Sequence, residues 1–229
     1  MAASLLCNPG NLCFKFVFME IVVLAGREQK EELLEAVQNN VAIIWANGVE
    51  EFLQHPQANA LVDLQFTNDE KRLRFLHSLF DKLVIINSVT ETLDEINPSF
   101  VRFNGWPTFL SSSLLEGAGK NEEVKQKAEE VFSVLGKKIE WLPDEPGFIT
   151  ARVVSMIINE AFIALEEGVS TKEEINTAMK LGTNYPYGPF EWAEKIGVQN
   201  VAMLLQKLST KQPRYKPAIL LEQEAKKTI

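Results

Sequence analysis

The sequence predicts an α/β layer followed by an all-α layer: a Rossmann-like, doubly wound parallel sheet, then a helical domain. Three observations predict it. Short, continuously apolar runs recur through the first 140 residues, as strands buried on both faces do. Helix-length amphipathic segments separate them, the signature of βαβ units. After Asp144 the strand signal stops and only helical periodicity remains.

Taken in order, Glu20–Ala25 (E-I-V-V-L-A) is the first expected strand, closed by Gly26. A helix over Glu28–Gln38 is expected with Leu33, Leu34 and Val37 inward. Val41–Trp45 is a second strand, Val49–Leu53 a helical turn and Ala60–Phe66 a third strand. Asp69–Asp81 reads as a helix with Leu73, Leu76 and Phe80 on one side, and Leu83–Ile86 as the fourth strand. Weaker strands are expected at Val101–Phe103 and Leu114–Leu115. A charged helix follows over Asn121–Leu135, and a last strand over Lys138–Leu142. Pro146 and Gly147 then punctuate the chain. Phe148, Ile149, Val153, Ile157, Ala161 and Leu165 recur at helical spacing and predict a buried face. Gly168 stops that helix, and Ser170 with Glu173 predicts a capping box opening the next, Thr171–Leu181. Tyr185–Phe190 (Y-P-Y-G-P-F) is a rigid aromatic turn whose rings are expected to fill the interior. The expected domains are residues 19–143 and 144–229, with residues 1–18 an N-terminal extension.

The chain has 229 residues, 46% of them hydrophobic, and a net charge of −8. That balance argues against a nucleic-acid surface, which needs a basic stripe. No run of 18 apolar residues suggests a membrane span. Cys7 and Cys13 could bridge only the N-terminal tip, and two histidines with no metal-type spacing argue against a His/Cys metal site; no metal is expected. The apolar N-terminus has no basic leading region and is broken by Pro9-Gly10, so a cytoplasmic location is the expectation.

The stretch Pro146-Gly-Phe-Ile149, Arg152, Asn159-Glu-Ala161, Glu167-Gly168, Asn176–Gly182, Tyr185-Pro186 and Gly188-Pro-Phe-Glu191 resembles the 3-hydroxyacyl-CoA dehydrogenase family. Arg214-Tyr-Lys-Pro217 extends the likeness, which is specific in the helical part and weaker in the sheet. The resemblance implies NAD on the first domain, a homodimer through the second, and an acyl-CoA in the cleft between them. It also implies a histidine base oriented by a glutamate, with a serine and an asparagine touching substrate.

This sequence departs from that pattern at most of those positions. After Arg102-Phe-Asn-Gly-Trp106, the residue matching the histidine is Pro107. The serine position is Val89, flanked by Ser88 and Thr90 as possible substitutes, and the asparagine position is Ala151. Glu116 matches the orienting glutamate. By resemblance, the catalytic candidates are therefore Glu116, Ser88 and Thr90, and the cofactor-binding candidates Gly26, Asn47 and Asn87. A G-x-G-x-x-G loop brings diphosphate close to a helix N-terminus. Here Leu24-Ala-Gly26-Arg-Glu-Gln29 keeps one glycine, and Glu28 adds repulsion. Asn47 stands near the expected acidic ribose-binding position, and the interval Trp45–Ala60 is too short for the family's CoA-binding helical arm. The favoured reading is a dehydrogenase-like binding or partner subunit with lost or strongly reduced hydride transfer. The alternatives are an NAD-dependent oxidoreductase with unfamiliar acid–base residues, and a purely structural dimerisation module.

Overall fold

The computed structural model describes residues 19–35 and 41–227. The N-terminal extension with Cys7 and Cys13, the expected inward Val37 and the end of the first helix at Gln38 lie outside the described residues. Seven strands form one sheet: β1 (Met19–Leu24), β2 (Val41–Ala46), β3 (Ala60–Asp63), β4 (Val84–Asn87), β5 (Val101–Phe103), β6 (Leu114–Gly119) and β7 (Lys138–Trp141). Their spatial order is β2-β1-β3-β4-β5-β6-β7. The first five are parallel, as expected, but β6 pairs antiparallel with β5, and β7 runs parallel to β6. The strand order reverses between β1 and β3, where doubly wound sheets open a crevice at their carboxyl ends.

Alternation explains why β1 is apolar throughout. Val22 and Leu24 face a core with Phe52, Leu61, Leu76, Val84 and Ile86. Ile21 and Val23 face the opposite one, with Leu33, Val62, Ile85, Val131 and Phe132. The helices α1 (Arg27–Leu34) and α3 (Glu122–Val134) cover the second face; α2 (Glu70–His77) and a 3-10 helix, Val49–Gln54, cover the first. Leu34 points away from both cores, at 49% exposure. β3 stops at Asp63, three residues before its expected end. The Asp63 carboxylate accepts the Gln65 amide at 3.1 Å and the Arg72 guanidinium at 2.8 Å, so the chain turns there. The Asp69 carboxylate caps α2 through the Arg72 amide at 2.9 Å. The helix ends at His77, and the following turn buries Leu79 in place of the exposed Phe80.

Beyond β7 come α4 (Thr150–Glu166), α5 (Lys172–Thr183), α6 (Pro189–Ile196), α7 (Val198–Ser209) and α8 (Ile219–Lys227). The buried side of α4 is Ala151, Val154, Ile158 and Phe162, while the expected Ile149 and Val153 are exposed. α4 carries two apolar stripes, and packing against the other helices covers the one with Ala151, Val154, Ile158 and Phe162. The cap of α5 also moves by one position: Thr171 and Glu174 form the box, and Ser170 donates its hydroxyl to Glu174. Phe190 packs edge-on against Phe162 at 4.9 Å, and Tyr185 and Tyr187 lean on the buried Trp192. Gly188 is required there, because a Cβ would stand 2.3 Å from the Asn176 Oδ1 that accepts the Phe190 amide.

Candidate functional site

A crevice of about 570 Å³ opens at the carboxyl ends of β1, β3 and β4, walled on its far side by Ile196, Asn200 and Met203 of the helical layer. Three turns line its sheet side: Gln29 after β1, Gln65–Asn68 after β3, and Asn87–Glu91 after β4. Trp106 and Pro107 complete it. Among the described residues, Glu91 is the one charged side chain in this lining, so a polyanionic ligand would meet no cation from them there.

The sequence-predicted residues divide between this crevice and other tasks. Asn87 is fully employed by backbone: its Oδ1 accepts the Gly105 amide at 2.9 Å and its Nδ2 donates to the Leu64 carbonyl at 3.1 Å. Ser88 is buried at 2% exposure, its hydroxyl donating to the Glu91 carbonyl at 3.1 Å. Thr90 lines the crevice. Val89 is buried with Trp106 in the helical core, and its carbonyl accepts the Gly147 amide at 2.7 Å. Ala151 is also interior, on α4.

Glu116 lies on β6 and serves as a helix cap. Both its oxygens accept the Thr150 amide, each at 3.1 Å, and Oε2 accepts the Thr150 hydroxyl at 2.7 Å, satisfying α4 where its first amides lack helical partners. Asn104 donates to that same hydroxyl at 3.0 Å. No imidazole joins the network. The His55 ring lies 3.6 Å from Glu20 at the start of the sheet, and the His77 ring packs on Phe100. The segment that would carry a base instead turns sharply: Pro107 is followed by Thr108 at φ 77, and the Thr108 amide donates to Glu32 at 2.7 Å.

The dinucleotide positions are similarly occupied. Gly26 caps α1, but its amide donates to the Gln29 side chain at 3.1 Å. A Cβ on Gly26 would lie in ordinary contact with Gln65 Nε2 at 3.4 Å and Gln29 Oε1 at 3.5 Å, so two carboxamide ends border the space above this helix end. Glu28 in the first turn adds a negative charge where a diphosphate would sit. Asn47 donates through its backbone and side chain to Glu51, at 3.2 and 3.1 Å. These residues do not fit a dinucleotide. Among the described residues, no group of three or more His, Cys, Asp or Glu side chains could hold a metal ion, and no helix is long and apolar enough to cross a membrane.

Sequence reasoning missed two features. Nothing in the sequence around Gln29 announces its partners 35 and 76 residues away. Arg102 and Asp144 stand in separate motifs, 42 residues apart, and nothing in either motif announces that they pair.

Residues 147–228 match the family model for the 3-hydroxyacyl-CoA dehydrogenase C-terminal domain. The chain is 42% identical over 115 residues to a 3-hydroxyadipyl-CoA dehydrogenase of Escherichia coli, a match covering 49% of this chain and 24% of the relative. It is 36% identical over 120 residues to a 3-hydroxybutyryl-CoA dehydrogenase of Bradyrhizobium diazoefficiens, covering 52% and 41%. These matches thus span less than half the length of either relative. The fold resembles a (S)-3-hydroxybutyryl-CoA dehydrogenase from Ralstonia eutropha, with TM-score 0.71, 18% identity, and 90% and 93% of the two chains covered. It also resembles M. tuberculosis FadB2, with TM-score 0.73, 15% identity, and coverage of 92% and 94%. At these identities the structural likeness is one of fold.

Proposed function

We propose that this chain, whose residues 147–228 match the 3-hydroxyacyl-CoA dehydrogenase C-terminal domain, does not carry out hydride transfer and acts as a binding or partner subunit. One observation carries the reading: where the family resemblance puts an imidazole and its orienting carboxylate, the chain has Pro107, while Glu116 spends both oxygens on Thr150. Oxidising a hydroxyl to a carbonyl requires a base to take the hydroxyl proton as hydride leaves. Proline offers none. A carboxylate holding a helix N-terminus would have to abandon that amide to act. Loss of a positioned base alone forfeits a factor of ~10²–10⁴ in rate.

The partner in this proposal is a second copy of the chain. Ile149, the N-cap of α4, and Val153 within it are 57% and 54% exposed. Val153, Met156 and Ile157 line a groove edged by Arg152, Glu160 and Arg214. An apolar stripe of that kind on a packed helix is suited to covering by another apolar surface.

Reduction of acetoacetyl-CoA by NADH, followed by absorbance with the full chain, tests the reading. The expected result is no turnover above the protein-free rate. Sustained turnover that scales with protein concentration would overturn it.

A further inference from the structure

Gln29 is a polar side chain at 7% exposure with every strong hydrogen-bonding group of its amide in use. Its Oε1 accepts the Gly26 amide at 3.1 Å. Its Nε2 donates to the Leu64 carbonyl at 3.0 Å and to the Gly105 carbonyl at 2.9 Å. The three partners belong to three turns: the one opening α1, the one leaving β3, and the one following β5. Asn87 reinforces the same junction from β4, since its carboxamide bridges the Leu64 carbonyl and the Gly105 amide. Two carboxamides therefore close a ring of backbone groups at the point where the strand order reverses.

We propose that Gln29 is a built-in plug that occupies the dinucleotide-phosphate cradle, holding the crevice together without a cofactor and excluding NAD from it. A helix N-terminus binds phosphate by offering free backbone amides to it. At α1 the Gly26 amide is already paired with Gln29, and the carboxamide ends of Gln29 and Gln65 border the space over Gly26. If Gln29 swung out to admit a diphosphate, the Leu64 carbonyl would keep only Asn87 and the Gly105 carbonyl would lose its amide donor. The diphosphate could replace neither loss, because it accepts hydrogen bonds and does not donate them. The crevice lining also supplies no cation to offset its charge, while Glu28 and Glu91 oppose it. A plug of this kind explains why a crevice with the topology of a cofactor site is lined by carboxamides and hydroxyls. The inference rests on the dehydrogenase-like reading of the crevice, but not on the absence of turnover.

The test combines NADH binding with amide hydrogen exchange on the full chain. NADH at about 1 mM is expected to leave the thermal midpoint of the wild-type protein unchanged, whereas a ligand present at 100 times its Kd stabilises measurably. In Gln29→Ala, the Gly26 amide is expected to exchange about tenfold faster, because its acceptor is gone. Gln29→Glu supplies the second variant should the first fail to fold. It retains an acceptor for Gly26 and loses both donors to the Leu64 and Gly105 carbonyls, so the Gly26 amide stays protected while the thermal midpoint falls. An NADH-induced rise in the wild-type midpoint overturns the plug, as does wild-type exchange of the Gly26 amide in Gln29→Ala or a wild-type midpoint in Gln29→Glu. NADH binding without turnover overturns the plug and leaves the non-catalytic reading standing, so the two failures are distinguishable.

Discussion

Arg102 Nε lies 2.6 Å from Asp144 Oδ1, and this pair fastens β5 to the turn that leads into α4. The guanidinium is fully buried; it also donates to the Ser88 carbonyl at 3.1 Å and the Glu145 carbonyl at 2.8 Å, and lies over the Phe148 ring. Burial pushes its pKa below the ordinary arginine value, and the bond to Asp144 draws it back up. Asp144 in turn accepts the Leu93 amide at 2.9 Å. Asp144→Ala would leave a buried cation and a backbone amide without their acceptor. Breaking such a pair from one side costs ~3–5 kcal/mol, and equilibrium urea unfolding should show a loss of that size. Stability within experimental error of the wild type would mean that solvent or Glu145 takes over the role.

The pair also marks where the sequence stops being legible. β1 was readable because Ile21, Val22 and Val23 are buried on alternate faces, which leaves an unbroken apolar run. The end of α2 was not, because Phe80 and Leu79 look equally suited to a core until the helix ends at His77 and the turn chooses between them. α4 misled for a related reason. Ile149, Val153 and Ile157 have as good a helical period as Ala151, Val154 and Ile158, and only tertiary packing decides which stripe is inside. Pro107 and Val89 at the crevice and Ala151 in the helical core could be read directly as departures from a family pattern. What Glu116 and Gln29 do instead could not, since both act on backbone groups far away in sequence. Side-chain-to-backbone bonds leave no trace in residue spacing.

The exposed stripe of α4 gives a prediction about assembly. Val153→Glu places a charge in the middle of the apolar groove, and Arg152 and Glu160 already border it. In the proposed homodimer that carboxylate would be desolvated without a dedicated partner, costing at least ~2 kcal/mol. Light scattering after size exclusion should therefore report a dimer for the wild type and a shift toward monomer for the variant, with the helical content of both unchanged. A wild type that is monomeric at every concentration tested would remove this interface.

Acid should weaken the helical layer through its caps. Glu174 is held below the ordinary glutamate range by the Ser170 hydroxyl and then the Thr171 amide. Glu191 is held below it by Lys180 and then the Gly188 amide. Both folded pKa values are depressed, so the stabilisation is present above the unfolded carboxylate pKa and disappears as pH falls through the depressed values. The thermal midpoint of the wild type should drop on acidification below about pH 4. Replacing both residues in Glu174→Gln/Glu191→Gln should lower the midpoint at neutral pH and shrink the gap to wild type in acid. A gap that stays constant from neutral pH into acid would show that these carboxylates act by packing and not by charge.

Thr108 offers the opposite kind of change, a substitution that should stabilise. It sits at φ 77, immediately after Pro107, and its Oγ1 is buried with no partner among the described residues. A β-branched residue in the left-handed region carries roughly 1–3 kcal/mol of strain, and the unpaired hydroxyl adds a desolvation cost. Thr108→Gly removes both while keeping the backbone amide that donates to Glu32 at 2.7 Å. Against this, glycine's greater freedom in the unfolded chain costs about 0.5–1 kcal/mol. The balance favours the variant by about 1 kcal/mol, which corresponds to a rise of roughly 2–4 °C in thermal midpoint for a chain of this size. Thr108→Asn, which tolerates the left-handed region but keeps a polar side chain, should gain less. If Thr108→Gly instead lowers the midpoint, the Thr108 methyl contributes more in packing than its backbone costs in strain.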